Sequence, residues 1–437
     1  MIFDFCILNF EMWYQTVIQA FKIKDLRNKI IFVLGAFALF RMMCNIPIPG
    51  IDVNQLKIFF GQFQMFQLLG AFTGGSMDRL SIAMLGLGPY ITAIIILQLL
   101  TMIFPTLEKM YKEEGEAGRT KFNQYARIAT VPLALLQGYA MMILLQRQNV
   151  VEFSSPLVMV AALLTITAGS MLLMWMGELI TEKGIGNGVS LLIFAGIVAD
   201  FPKNVQQMAS AYDPSMIPGY IAFFVMAIAM VAAVVLVNEA RRNIPVSYAK
   251  RVRGMKMVGG VSTYLPLNIN PAGVIPIIFA LSILLFPSMI ANFLVSSPGW
   301  VGSVAQATVN LFQADSAFYM ASYFLLVVLF TYFYTAVTFD PKQISNNLQK
   351  MGGFVPGIRP GTPTADFLHY ILNRVLLVGA VFLGIIAIMP QVIGSFTGIN
   401  SFSFLIGGTS LLIAVSVILE TVRQIRAQLQ MREYETF

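Results

Sequence analysis

Residues 63–101 read FQMFQLLGAFTGGSMDRLSIAMLGLGPYITAIIILQLLT. The first part, 63–80, is apolar enough to enter a membrane. Yet Gly70, Gly74 and Gly75 interrupt it, and Asp78 and Arg79 stand at its end. A Gly-Gly pair breaks a helix, because fixing glycine costs more backbone entropy than fixing any other residue. The second part, 81–101, continues as an unbroken apolar span. Two arrangements suit such a pair. Either a half-helix dips into the membrane and turns back as the span, or an amphipathic helix rests on the outer surface. Irregular backbone at membrane depth persists only where protein buries it or where it lines a water-filled cavity. A re-entrant segment at 63–80 therefore implies a cavity.

Composition places the rest of the chain around that segment. Of 437 residues, 57% are hydrophobic and 11% are charged. A soluble globular domain carries roughly 25% charged residues. With 28 basic and 21 acidic side chains, the chain cannot cover a soluble surface of its size. A soluble enzyme, a disordered protein and a disulfide scaffold are excluded. A spanning helix needs about 20 mostly apolar residues. Windows of that length fall at 28–48, 80–104, 125–146, 156–180, 187–202, 218–239, 271–292, 317–339, 369–390 and 403–423. Residues 2–21 are apolar but contain Asp4, Asn9, Glu11 and Gln15. They read as an interfacial amphipathic helix rather than an eleventh span. No cleavable signal peptide is expected, since the first basic residue, Lys22, follows the apolar start.

Charge placement tests the topology. With the N-terminus in the cytoplasm and ten crossings, 23 of the 28 basic residues fall inside. Lys57, Arg79, Arg147 and Lys203 fall outside, and Arg41 lies within the first span. That asymmetry is a strong positive-inside signal, and both termini are expected in the cytoplasm. Ten spans divide as five plus five, and an odd number per half orients the halves oppositely. Two long basic loops, 240–270 and 340–368, face the cytoplasm. The net charge of +7 thus reports topology rather than nucleic-acid binding.

Chemistry-bearing patterns are scarce. Cys6 and Cys44 lie on opposite sides of the first span and cannot pair. No Cys/His metal cluster, no phosphate-cradling GxxxxGK[ST] pattern and no nucleophile–base pair is present. Gly184, Gly186 and Gly188 read as a turn opening the next helix, and His369 as an interfacial residue. Glu178, Glu239 and Glu420 lie near cytoplasmic span ends, where water reaches them. The spans hold no mid-membrane proton relay, which counts against an inverted-repeat secondary solute transporter, the alternative reading.

Seven ordered motifs carry a resemblance. They are NIPIPGID at 45–52, FTGGSMDRLSIAMLGLGPYITA at 72–93, EKGIGNGVSLLIFAGIVA at 182–199, YAKRVRG at 248–254, LPLNINPAGVIPIIFA at 265–280, GGFVPGIRPGTPTADFL at 352–368 and GGTSLLI at 407–413. From about residue 24 onward the chain resembles the SecY family of bacterial protein-conducting channel subunits. The resemblance implies an all-α fold of ten transmembrane helices in two inverted five-helix halves around a central pore. The halves would be 24–202 (spans 1–5, with a re-entrant plug helix at 63–80) and 218–437 (spans 6–10). An external hinge loop at 203–217 would join them, and an N-terminal amphipathic segment at 1–23 would precede them. The implied function is passage of unfolded secretory polypeptides through the cytoplasmic (inner) membrane, with release of transmembrane segments into lipid through a lateral gate. No enzymatic activity and no cofactor are implied for this chain. Implied partners are the SecE and SecG subunits, the SecA motor ATPase, the ribosome, signal-peptide-bearing precursors and membrane lipids.

The family's functional residues carry over by motif. The plug would hold Phe72, Thr73, Gly74, Gly75, Ser76, Met77, Asp78 and Arg79. The apolar pore ring would be Leu87 and Ile91, Val189 and Ile193, Ile278, and Ile413. The lateral gate would run along Leu97–Leu100 and Ile283–Phe286, with Thr92, Gln137 and Ser282 as polar ties and Phe286 on the seam. Docking of SecA and the ribosome would fall on Arg251, Arg253, Arg359, Pro360 and Gly361. This chain departs from the family at Asn243, where a second arginine is common, and at its C-terminal REYETF. Residues 1–21 lie outside the resemblance.

Overall fold

The computed structural model describes residues 21–48, 80–112, 114–147, 155–210, 217–248, 251–253, 256–258, 262–295, 299–313, 316–397 and 408–435. Helices follow in the order α1 (Lys24–Cys44), α2 (Gly88–Ile103), α3 (Pro105–Lys112), α4 (Gly115–Arg147), α5 (Pro156–Lys183), α6 (Gly188–Ser210), α7 (Ile217–Glu239), α8 (Ile275–Leu294), α9 (Trp300–Leu311), α10 (Ala317–Thr338), α11 (Pro341–Lys350), α12 (Thr362–Thr397) and α13 (Gly408–Glu435). The short α3, α9 and α11 are connectors. Each of the other ten overlaps one of the apolar windows. Among the described residues, α4, α5, α7, α10 and α12 are long and apolar enough to cross a membrane alone, and the bent pair α2–α3 makes a sixth candidate. Of the other four, α1 begins with Lys24, Asp25, Arg27 and Lys29, α13 carries Glu420, Arg423 and Arg426, and α6 and α8 each run on through an internal proline, Pro202 and Pro287.

Local chemistry explains the breaks. The α2 and α3 axes meet at 115°. Phe104 lies between them in an extended conformation, as the residue before a proline must. The span expected from residue 80 turns helical only at Gly88. Its lead-in instead pairs with 46–48: Ile48 N donates to Leu80 O at 2.9 Å and Ile82 N to Ile46 O at 3.1 Å. Those bonds hold the backbone out of the helix, so Leu87 becomes the N-cap of α2 rather than a residue within it. The Gly184–Gly188 segment is the tight turn expected. The Asn187 carboxamide oxygen accepts from the Val189 and Ser190 amides and caps α6. A Cβ at Gly188 would lie 1.9 Å from the Gly177 carbonyl oxygen. Only glycine allows α5 and α6 to approach this closely.

Apolar side chains face in two directions. One core joins α8, α10, α12 and α13 through Ile277, Tyr323, Val327, Leu383 and Leu412. A second joins α1, α2, α5, α6 and α13. Outward, α7 exposes Ile221, Phe224, Val225, Ile228 and Leu236 on more than half of their surface. An apolar face of that size in water would be a liability. In a bilayer it meets its own solvent.

The basic loops add short strands to the mostly helical fold. Strands β1 (Arg241–Tyr248), β2 (Arg251–Arg253), β3 (Lys256–Val258), β4 (Ser262–Asn268) and β5 (Gly353–Phe354) form there. A three-stranded antiparallel sheet has the order β4-β1-β5, with Ile244 opposite Leu265 and Ser247 opposite Phe354. The alternation that drives it is visible in hindsight. Ile244 and Val246 are buried while Arg241, Arg242 and Asn243 face out. Ile244 and Leu267 join Val355 and Leu368 in a small separate core.

Candidate functional site

The six residues assigned to a pore ring come from four helices and meet in one apolar cluster. Leu87, Ile193 and Ile413 are buried within it, and Ile91, Val189 and Ile278 pack against it half-buried. Leu87 and Ile91, like Val189 and Ile193, are four residues apart and share a helix face. The N-cap turn of α2 supplies the first pair, and the Asn187-capped start of α6 supplies the second. Ile278 lies about one turn into α8, and Ile413 in the second turn of α13.

A cavity of about 440 Å³ opens against this cluster. Ile91, Val189, Ile193 and Ile278 form its apolar floor. Gln98, Asn123, Arg127, Glu178 and Asn187 contribute polar walls. Arg127 Nε donates to Glu178 Oε1 at 2.7 Å, so these two opposite charges are paired, and Glu182 adds a third charge to the lining. The cavity is therefore wettable at its walls and apolar where it meets the cluster.

The seam between α2 and α8 lies along the same wall. Thr92 and Ser282 were expected to tie it by hydrogen bonds across the helices. Instead Thr92 Oγ1 donates to Gly88 O at 2.9 Å and Ser282 Oγ to Ile278 O at 2.8 Å. Each hydroxyl closes on the carbonyl one turn earlier, the least costly way to satisfy it in an apolar setting. The described seam contact is aliphatic, with Ile95 of α2 packed among Ile277, Leu281 and Leu284 of α8. Gln137 is half-buried on α4. The side chain of Phe286 and all of Phe72–Arg79 lie outside the described residues.

The two basic loops become one platform, because β5 of the second pairs with β1 of the first. Arg251 and Arg253 lie on β2, opposite Val258 and Lys256 of β3. Their side chains are outside the described set. Arg359 and Pro360 are exposed, and Gly361 takes a φ of +100°, which favours glycine at this turn. Asn243, at the position where the family often has arginine, is an outward-facing residue of β1 opposite Pro266.

Sequence reasoning missed a polar junction beside the platform. Arg423 of α13 donates to Glu239 Oε1 at 2.9 Å and to the Asn238 carbonyl at 2.6 Å, at the end of α7. The Asn238 side chain bonds Ser416 and accepts from Asn270. Apart from Asn270, 32 positions from Asn238, these partners are more than 170 positions apart and leave no local signal; Glu239 was read only as a water-accessible end residue and Arg423 only as one of the cytoplasmic basic residues. Among the described residues no group of His, Cys, Asp and Glu is arranged to hold a metal ion.

A family model described as SecY matches residues 81–422. A relative from Streptomyces scabiei, named protein translocase subunit SecY, is 42% identical over 436 residues, covering 96% of this chain and 98% of that protein. A solved protein-conducting channel superposes with a TM-score of 0.62 at 18% identity, over 91% of each chain. Sec61 from a canine ribosome–channel complex superposes at 0.59 and 17%, also over 91% of each. These two share the fold. With the family model spanning its body and that relative matching nearly all of its length, the chain belongs to the SecY family.

Proposed function

We propose that the chain is the channel-forming subunit of a protein translocase. It passes unfolded secretory polypeptides across the membrane and releases apolar segments sideways into lipid. The convergence of six aliphatic side chains from four helices beside a polar-walled cavity carries this reading. An ion entering that cluster sheds its hydration shell and gains no replacement ligand. An extended polypeptide fills the space, and aliphatic side chains close around it without choosing among sequences. A charged ring would select by charge instead. The solute-transporter alternative needs polar ligands at mid-membrane. Thr92, Thr167, Thr331 and Thr335 spend their hydroxyls on carbonyls of their own helices, which disfavours it.

The chain crosses the inner membrane ten times, with residues 24–202 and 218–437 as inverted halves and both termini in the cytoplasm. Residues 63–80 serve as the plug that seals the resting channel. SecE clamps the halves and SecG accompanies them. ATP hydrolysis belongs to SecA, which docks with its cytoplasmic face on Arg359 and on the β2–β3 hairpin bearing Arg251 and Arg253. The ribosome uses the same platform, a role supported by the fold shared with the ribosome-bound Sec61.

Deleting residues 72–79 tests the channel directly. In planar bilayers containing the purified complex, the deletion should raise resting ion conductance at least several-fold over the parent. Conductance equal to the parent's would remove the plug from these residues and favour a non-conducting scaffold.

A further inference from the structure

Ser345 is an unusual buried hydroxyl in this fold. In Thr92, Thr130, Thr167, Ser282, Thr331 and Thr335, the hydroxyl folds back on the carbonyl four residues earlier in its own helix. Ser345, in the middle of α11 and only 2% exposed, reaches across instead. Its Oγ donates to the Gly361 carbonyl at 2.6 Å. That carbonyl already accepts the Thr364 and Ala365 amides as the first bonds of α12. On the other side of Pro360, Thr364 Oγ1 donates to the Arg359 carbonyl at 2.8 Å. Thr364 is also 2% exposed. The two hydroxyls thus fix the carbonyls on either side of Pro360, whose own φ is locked by its ring.

The base of this turn is equally constrained. The Asp340 carboxylate accepts from the Lys342 and Gln343 amides and caps α11. Ile358, next to Arg359, packs with Val355 and Leu368 in the small core under the sheet. Arg359 therefore springs from backbone with little freedom left, while its side chain stands in solvent.

We propose that Ser345 and Thr364 are positioning residues for Arg359. They hold its backbone so that the guanidinium is presented in one direction to a carboxylate on the docking motor. This rests on Arg359 being a docking residue, as proposed above. Bidentate arginine–carboxylate pairing is geometrically demanding. A fixed base lowers the ordering cost of forming the pair, which appears as affinity rather than turnover.

The test titrates purified SecA against proteoliposomes holding the channel complex and measures ATP-driven precursor export. S345A and T364V should each raise the half-saturating SecA concentration about 3- to 10-fold, the worth of one hydrogen bond. The maximal rate should stay at the parent's value. S345T, which keeps the hydroxyl, should restore the parent's half-saturation. In an R359K background, where the fork is already lost, adding S345A should change half-saturation less than twofold. Hydrogen exchange of the 356–366 segment should quicken in both S345A and T364V, a readout independent of export. Folded S345A and T364V variants with the parent's half-saturation and exchange would overturn the proposal. Normal half-saturation in R359K and in R359A would instead overturn the docking role of Arg359 itself. The two variants act on opposite sides of Pro360, so instability of one leaves the other decisive.

Discussion

Replacing Arg359 with glutamate is expected to abolish SecA-driven export into reconstituted vesicles while leaving the protein folded. The side chain is exposed, and the turn that carries it is held by backbone and hydroxyl bonds that do not involve the guanidinium. Folding therefore has little reason to depend on it. Docking does. The reversal removes a charge-assisted pair and places like charges face to face. Losing one partner of a hydrogen-bonded interfacial charge pair costs about 2–5 kcal/mol, or at least roughly 30-fold in affinity, before the added repulsion. Export measured at a fixed sub-saturating SecA concentration should fall below a few per cent of the parent. Normal export by a correctly folded R359E would remove Arg359 from the docking platform.

The second large effect is expected at the ring. Ile413 is 1% exposed within the apolar cluster. I413N removes aliphatic packing there and inserts an amide into the apolar cluster. Trading away the packing costs about 2–5 kcal/mol by analogy with truncating a buried isoleucine, and an unsatisfied buried polar group adds about 1–3 kcal/mol. These costs fall on the closed arrangement. In the open one, water or the passing polypeptide backbone satisfies the amide. The closed-to-open balance should shift by at least roughly two orders of magnitude. Precursors with defective signal sequences, excluded by the parent, should then be exported at a rate within a few-fold of intact precursors. Unchanged stringency in I413N would place the seal elsewhere.

The helical scaffold was legible because its signals are local. Each apolar window overlaps a described helix, and Gly184–Gly188 announces its turn in sequence. Features made by distant partners were not. Leu87, Ile193, Ile278 and Ile413 read individually as ordinary packing residues, and only the motif resemblance singled them out. That they meet is a fact of the fold. The two basic loops were read as separate docking segments, since nothing local predicts that Ser247 pairs with Phe354. Thr92 and Ser282 misled in the opposite sense. A hydroxyl in a helix has a partner one turn away, so its presence near a seam does not imply a bond across it. Ser345 shows the converse. A helix offers a serine hydroxyl a carbonyl one turn back, but Ser345 donates to the Gly361 carbonyl instead.

The central claim is that a polypeptide in transit passes through the apolar cluster. Cysteines placed singly at Leu87, Ile91, Val189, Ile193, Ile278 and Ile413, in a chain whose Cys6 and Cys44 are replaced by serine, can report on it. An export intermediate stalled midway and carrying one cysteine should form disulfides with all six positions. It should form none with cysteines at the outward-facing Val225 or Leu325, which are 62% and 61% exposed. Crosslinks at the outward positions and none at the six would mean that the chain travels by another route.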